Sequence, residues 1–176
     1  MSQAEGQRSR SGWGSEGRPG AVSFTFDNLG EASDIEFGKW PVDRPIGSHM
    51  TVTQVVPELL DHHNDKRMIE FGIGLTDLVK RPTRGVEELK REEFAEGRIM
   101  LAQKLEQYAP QVVAFNGVGT FENFAQRPCK PGLQKERLYG AQVFVLPSTS
   151  AKNATGRGQK LRYFRQLAKV LEKLKK

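Results

Sequence analysis

The residues best equipped for chemistry stand together in Ser148-Thr149-Ser150-Ala151-Lys152, directly after the apolar run Val143-Phe-Val-Leu146 and Pro147. Hydroxyls, free loop amides and one cation are the groups that grip a phosphate backbone. The same composition also suits an ordinary solvated loop. Position favours the first reading. Four apolar residues ahead of a Pro-Ser turn predict a buried strand of a parallel sheet. Open α/β sheets bind ligands beyond the carboxyl ends of their strands. A second group to weigh is His62-His63, near Asp61 and Asp65. A structural zinc site usually needs four converging ligands. The pair therefore reads as a solvated helix end, and no metal or other cofactor is expected.

The elements that would position these residues alternate along the chain. Ala21-Val-Ser-Phe-Thr-Phe26 reads as a strand running into Asp27-Asn28-Leu29-Gly30. Residues 31–50 carry Gly38, Pro41, Pro45 and Gly47 and read as irregular. Residues 51–65 read as helical after Pro57, and residues 71–79 as a strand followed by a polar loop over 80–85. A helix is predicted over 87–108, with Phe94, Leu101, Leu105 and Tyr108 on one face and Pro110 as its stop. Val112-Val-Ala-Phe115 predicts a short buried strand with Asn116-Gly117 at its carboxyl end. A helix from about 120 to 126 follows, then a loop over 129–140 with Lys130, Lys135 and Arg137. Leu161, Phe164, Leu167, Leu171 and Leu174 recur at helical spacing and predict a terminal helix. Strand-helix-strand alternation implies a parallel sheet with right-handed crossovers. On such a sheet the loops at 83–85, 116–117 and 147–152 all open on one edge.

Length and composition bound the function. A chain of 176 residues with 37% apolar content is one domain with a tail and a modest core. The single cysteine, Cys129, excludes a disulfide framework and fits a reducing compartment. No apolar run approaches a membrane span. Residues 1–20 are rich in Gly, Ser and Arg and read as a disordered tail, not a signal peptide. A cytoplasmic monomer is expected, nucleoid-associated if bacterial. The net charge of +6 is concentrated: residues 157–176 hold eight basic residues against Glu172 alone, which leaves the rest near neutrality. Arg157, Lys160, Arg162 and Arg165 open the terminal helix, where cations oppose the helix dipole. Attraction to a polyanion would account for them. An ordinary solvated basic face would do so equally.

Several motifs, in order over about 65–176, carry a resemblance. They are Gly72-Ile-Gly-Leu-Thr-Asp-Leu-Val-Lys-Arg-Pro-Thr83, Phe94-Ala-Glu-Gly-Arg98, Ala114-Phe-Asn-Gly117 and Leu146-Pro-Ser-Thr-Ser-Ala-Lys152. Together they resemble the mismatch-specific uracil/thymine DNA glycosylases, the Mug and thymine-DNA glycosylase branch of the uracil-DNA glycosylase superfamily. The resemblance implies a three-layer α/β/α fold with a four-stranded parallel sheet. It implies removal of uracil or thymine from mismatches with guanine in base excision repair, on double-stranded DNA holding a G:U or G:T mismatch, with no metal. Ser148 and Ser150, with Thr149 between them, would grip phosphates flanking a flipped nucleotide. Lys152 would be the wedge that fills the vacated stack. Asn116 and Gly117 would offer donors to a phosphate, and Val118 stands where some relatives carry a lysine. Asp77 and Thr83 match positions lining the base pocket, where Asp77 would accept from N3–H of the base.

The amino-terminal part departs from that pattern. The family's first strand ends in Gly-Ile-Asn-Pro-Gly, whose Asn positions the attacking water, and an aromatic residue follows to stack on the base. Here Phe26-Asp-Asn-Leu-Gly30 stands nearest, which gives Asn28 the water-positioning role and Phe37 or Trp40 the stacking role. Over about 21–61 the chain is also similar to the opening of a NodB-type polysaccharide deacetylase, whose Asp after the first strand serves catalysis and metal binding. No His-x-x-x-His pair accompanies it. The expected organisation is a tail over 1–20, an atypical segment over 21–64 whose strand replaces the family's first, and a glycosylase-like domain over 65–176. Three functions stay open: an active mismatch glycosylase, a remnant that binds DNA without turnover, and a non-functional fusion with a deacetylase start.

Overall fold

The computed structural model describes residues 22–26 as backbone, and residues 55, 67, 71, 73–81, 86–149 and 153–174 with their side chains. β3 (Val112–Asn116) is buried at all five positions, so it needs cover on both faces. The surrounding elements supply it. β1 (Val22–Phe26) and β2 (Ile73–Asp77) precede β3, with α1 (Arg91–Tyr108) between β2 and β3. α2 (Val118–Ala125), β4 (Gly132–Leu138), β5 (Ala141–Leu146) and α3 (Arg157–Leu174) follow. The five strands form one sheet in the order β2-β1-β3-β5-β4.

Alternation along β3 divides the core in two. Val112 and Ala114 pack with Ile73, Phe144 and Leu146 beneath Phe164 and Leu167 of α3. Val113 and Phe115 pack with Val143 and Val145 beneath Leu101 and Leu105 of α1 and Phe121 of α2. Helices therefore cover both faces of the sheet. Phe115 meets the edge of Phe121 with ring centroids 5.1 Å apart, fixing α2 over the carboxyl end of β3.

The fold class is mixed α/β, and the expectation of a four-stranded, wholly parallel sheet is corrected. β1, β2, β3 and β5 run parallel, but β4 joins as a fifth strand antiparallel to β5. The stretch read as a loop over 129–140 thus contains a strand. Its sequence, Gly-Leu-Gln-Lys-Glu-Arg-Leu, hides it because an edge strand needs pairing on one side only and tolerates charge. Its hairpin partner begins after Tyr139 and Gly140, whose φ values of 50° and 84° are those of a tight two-residue turn.

The predicted strand at Val22–Phe26 lies between β2 and β3, in parallel with both. The strand expected over 71–79 is shorter, Ile73–Asp77. The helix expected from residue 87 starts at Arg91, after a single turn at Val86–Glu88. The Lys90 N–H donates to Glu93 Oε2 at 2.9 Å, the carboxylate half of a capping box. Ala109, in the left-handed region, closes α1 by donating to Leu105 O at 3.0 Å. Pro110 then bars continuation. The segments read as a tail over 1–20, an irregular stretch over 31–50 and a helix over 51–65 lie outside the described residues, Val55 excepted.

Candidate functional site

Parallel register brings the strand ends into one row. Asp77 pairs with Phe26, Phe26 with Asn116, and Asn116 with Leu146. Neighbouring strands lie about 4.8 Å apart. The carboxyl ends of β1, β2, β3 and β5 therefore stand side by side. Asn116 and Ser148, 32 positions apart in the chain, share this carboxyl edge.

The join between them is specific. Asn116 is only 2% exposed. Its Nδ2 donates to Thr149 Oγ1 at 2.9 Å, and the Thr149 N–H donates back to Asn116 Oδ1 at 3.1 Å. Thr120 Oγ1 donates to Asn116 O at 3.3 Å, and the Gly117 N–H donates to Leu146 O at 3.0 Å. Gly117 has a φ of 128°, which favours glycine there. This buried set fixes the course of the loop after β5. The Asn116 amide thus joins Thr149 and the Gly117 N–H joins Leu146 O. Ser148, half-buried, stands next to Thr149.

The loop after β2 is held as firmly. Gly97 of α1 packs so closely that a Cβ there would lie 2.0 Å from Leu78 O. Arg81 Nε donates to Glu93 Oε1 at 2.6 Å, and its Nη2 donates to Glu88 O at 2.8 Å. The Arg81 guanidinium, with help from the Lys90 N–H, holds the Glu93 carboxyl down at about 2. Asp77, at the end of β2, is half-buried on this rim. One residue earlier, Thr76 accepts from Lys80 Nζ at 3.1 Å and from Lys104 Nζ at 2.8 Å.

Of the expected site residues, Asp77, Asn116, Gly117, Ser148 and Thr149 come to this edge. Asn28, Phe37, Thr83, Ser150 and Lys152 lie outside the described residues. Asn28 follows Phe26, the β1 member of the row, by two positions. The basic start of α3 divides: Arg157, Arg162 and Arg165 are exposed, but Lys160 is buried. Gly97, Thr120 and the Thr76 cluster were not expected. Only Gly97 left a trace, as an isolated glycine inside a helical pattern.

A model of the uracil DNA glycosylase superfamily matches residues 38–174. The chain belongs to that superfamily. Its members are hydrolytic DNA glycosylases, and the carboxyl edge holding Asn116 and Ser148 falls inside the match. The match takes in residues 38–61 of the stretch compared with a deacetylase, so that likeness is left without support. β1 precedes the match, yet it pairs on both sides within this superfamily member's sheet. Among the described residues, no helix is long and apolar enough to cross a membrane.

Proposed function

We propose that the chain is a mismatch-specific glycosylase that releases uracil or thymine opposite guanine from duplex DNA in base excision repair. The observation that supports this most is the Asn116–Thr149 clasp, because a loop that grips phosphates must be held before DNA arrives. A base inside a duplex is out of reach and must be flipped, at a cost of a few kcal/mol. Ser148 and Ser150 take the flanking phosphates while Thr149, turned inward, sets their spacing. Lys152 fills the gap left in the stack.

In the pocket, Phe37 stacks on the base, Thr83 lines it and Asp77 accepts its N3–H. Asn28 orients a water toward the sugar carbon. The bond from sugar to base breaks with its electron pair leaving on the base, through an oxocarbenium-like sugar. The water oxygen then bonds to that carbon, its proton passes to solvent, and the departed base anion takes up a proton from solvent. The products are a free base and an abasic site. The reaction so written calls for no cofactor, and one copy of the chain suffices.

A second reading, grip without turnover, is favoured by one observation. Asp27-Asn28-Leu29-Gly30 replaces Gly-Ile-Asn-Pro-Gly, and Asn28 stands before the superfamily match begins. Incubation of a G:U duplex with the full chain and with its Asn28→Ala variant separates the two. Base release by the wild type that the variant loses supports the glycosylase. Tight binding without release by either protein leaves the second reading standing.

A further inference from the structure

The cations around β4 have no part in the site described above, and the register of that strand sorts them. Gly132 pairs with Val145, and Arg137 pairs with Gln142, three residues or about 10 Å back along β5. β4 runs antiparallel to β5, so its first residue, not its last, stands at the carboxyl edge. Lys130, two residues before Gly132, is therefore carried to the end of the sheet where β5 gives way to Pro147 and Ser148. Arg137 is carried toward the opposite end. Along the chain Lys130, Lys135 and Arg137 are close neighbours; the sheet separates them.

The arginines of this segment are engaged. Arg137 Nη1 donates to Gly140 O at 2.8 Å. Arg127 pairs with Glu136 and lies 5.1 Å from the ring centroid of Phe121. Lys130 has a fixed main chain and an exposed side chain. Gln134 Nε2 donates to Lys130 O at 2.8 Å and to Gly132 O at 2.9 Å. The Cys129 N–H donates to Glu122 Oε1 at 3.1 Å, which ties the same loop to α2. Pro128 and Pro131 each fix a φ angle on either side of Lys130. Gly132 has a φ of 118°, which favours glycine there. A main chain braced in advance loses little freedom when its side chain meets an anion. Charge on an edge strand can also serve to deter pairing with other chains. That role needs charge along the strand, where Lys135 stands, and does not call for a braced loop ahead of it.

We propose that Lys130 binds a DNA-backbone phosphodiester at the flank of the carboxyl edge, beyond β5. β4 lies one strand spacing, about 4.8 Å, from β5. Phosphates recur every 3.4 Å or so along one strand of DNA. A strand held at the loop after β5 thus brings Lys130 a phosphate about one or two nucleotides farther on. An ammonium on a flexible four-carbon stem suits that task, because it acts as a point charge and needs no fixed angle of approach. The choice of DNA rests on the proposed function, but only on its duplex binding and not on base release.

The test follows the affinity of the full chain for a G:U duplex against salt, in wild type, Lys130→Ala, Lys130→Arg and Arg137→Ala. Lys130→Ala should bind about two- to fivefold more weakly at low ionic strength, the range for an exposed ion pair. It should also lower the slope of log K on log salt by about 0.9, the value for one lost phosphate contact. Lys130→Arg should keep the wild-type slope. Arg137→Ala should keep it too, although it removes the same charge, because that position lies toward the other end of the sheet. A wild-type slope in Lys130→Ala would overturn the contact. Equal losses in Lys130→Ala and Arg137→Ala would also overturn it, since they would mark a diffuse field and not a local phosphate. A wild type that binds no duplex would overturn both this contact and the proposed function. A wild type that shows the Lys130 effect yet releases no base would sink the glycosylase reading and leave the contact intact; base release without a Lys130 effect would do the reverse.

Discussion

Replacing Asn116 with leucine keeps the size of the side chain and removes both arms of the clasp to Thr149. The Thr149 N–H, now 3.1 Å from Asn116 Oδ1, would be left buried with no acceptor. A buried donor in that state costs ~1–3 kcal/mol, and the lost bond from Nδ2 to Thr149 Oγ1 adds about 1 kcal/mol. We expect Asn116→Leu to lower unfolding free energy by about 2–4 kcal/mol, a large share of the ~5–15 kcal/mol that holds a domain together. Thr149→Val removes only the hydroxyl and should cost about 1 kcal/mol. Because the two side chains share a bond, the double variant should cost less than the two losses combined, by ~0.5–1.5 kcal/mol. Urea unfolding of the four proteins measures this cycle. Strict additivity would mean that Asn116 and Thr149 do not act on each other, and the account of the loop after β5 would fall. Asn116→Leu should also weaken G:U duplex binding more than its stability loss explains, since the phosphate-gripping loop loses its anchor.

Further outcomes follow from other contacts. Gly97→Ala gains about 1 kcal/mol of helix propensity but places a Cβ 2.0 Å from Leu78 O. With overpacking at ~1–3 kcal/mol, melting should show a net loss, and a variant more stable than wild type would refute the close approach. Glu93 titrates at about 2 when folded against an ordinary 4.5. Between those values the unfolded chain holds more protons, so the Arg81–Glu93 contribution is complete above pH 4.5 and is lost as pH falls toward 2. A carboxyl carbon titration by NMR with a midpoint near 4.5 would contradict the pairing. Gly140 has a φ of 84° and open space around it, so Gly140→Ala should cost ~1–2 kcal/mol through backbone strain alone. Chemical denaturation with an unchanged midpoint would argue against that turn.

Local pattern was enough for much of the architecture. The spacing of Phe94, Leu101 and Leu105 and of Phe164, Leu167 and Leu171 announces α1 and α3, because a helix repeats over a few residues. The apolar runs before Asn116 and Pro147 announce β3 and β5, and parallel strands must send their following loops to one edge. The order of short motifs also pointed to the glycosylase superfamily without any coordinates. Contacts between distant residues were another matter. Asn116 and Thr149 are 33 positions apart and Thr76 and Lys104 are 28 apart. Nothing in the neighbourhood of any of them marks the partner, so the bonds between Asn116 and Thr149 were not legible in the sequence. β4 escaped notice because its pairing with β5 lies in backbone hydrogen bonds, which charged side chains at a sheet edge do not reveal. Lys160, read together with Arg157, Arg162 and Arg165 as one basic helix start, is buried because α3 turns that position inward. Periodicity is written within a few residues, whereas side-chain partnership is created only when the sheet brings remote strand ends together.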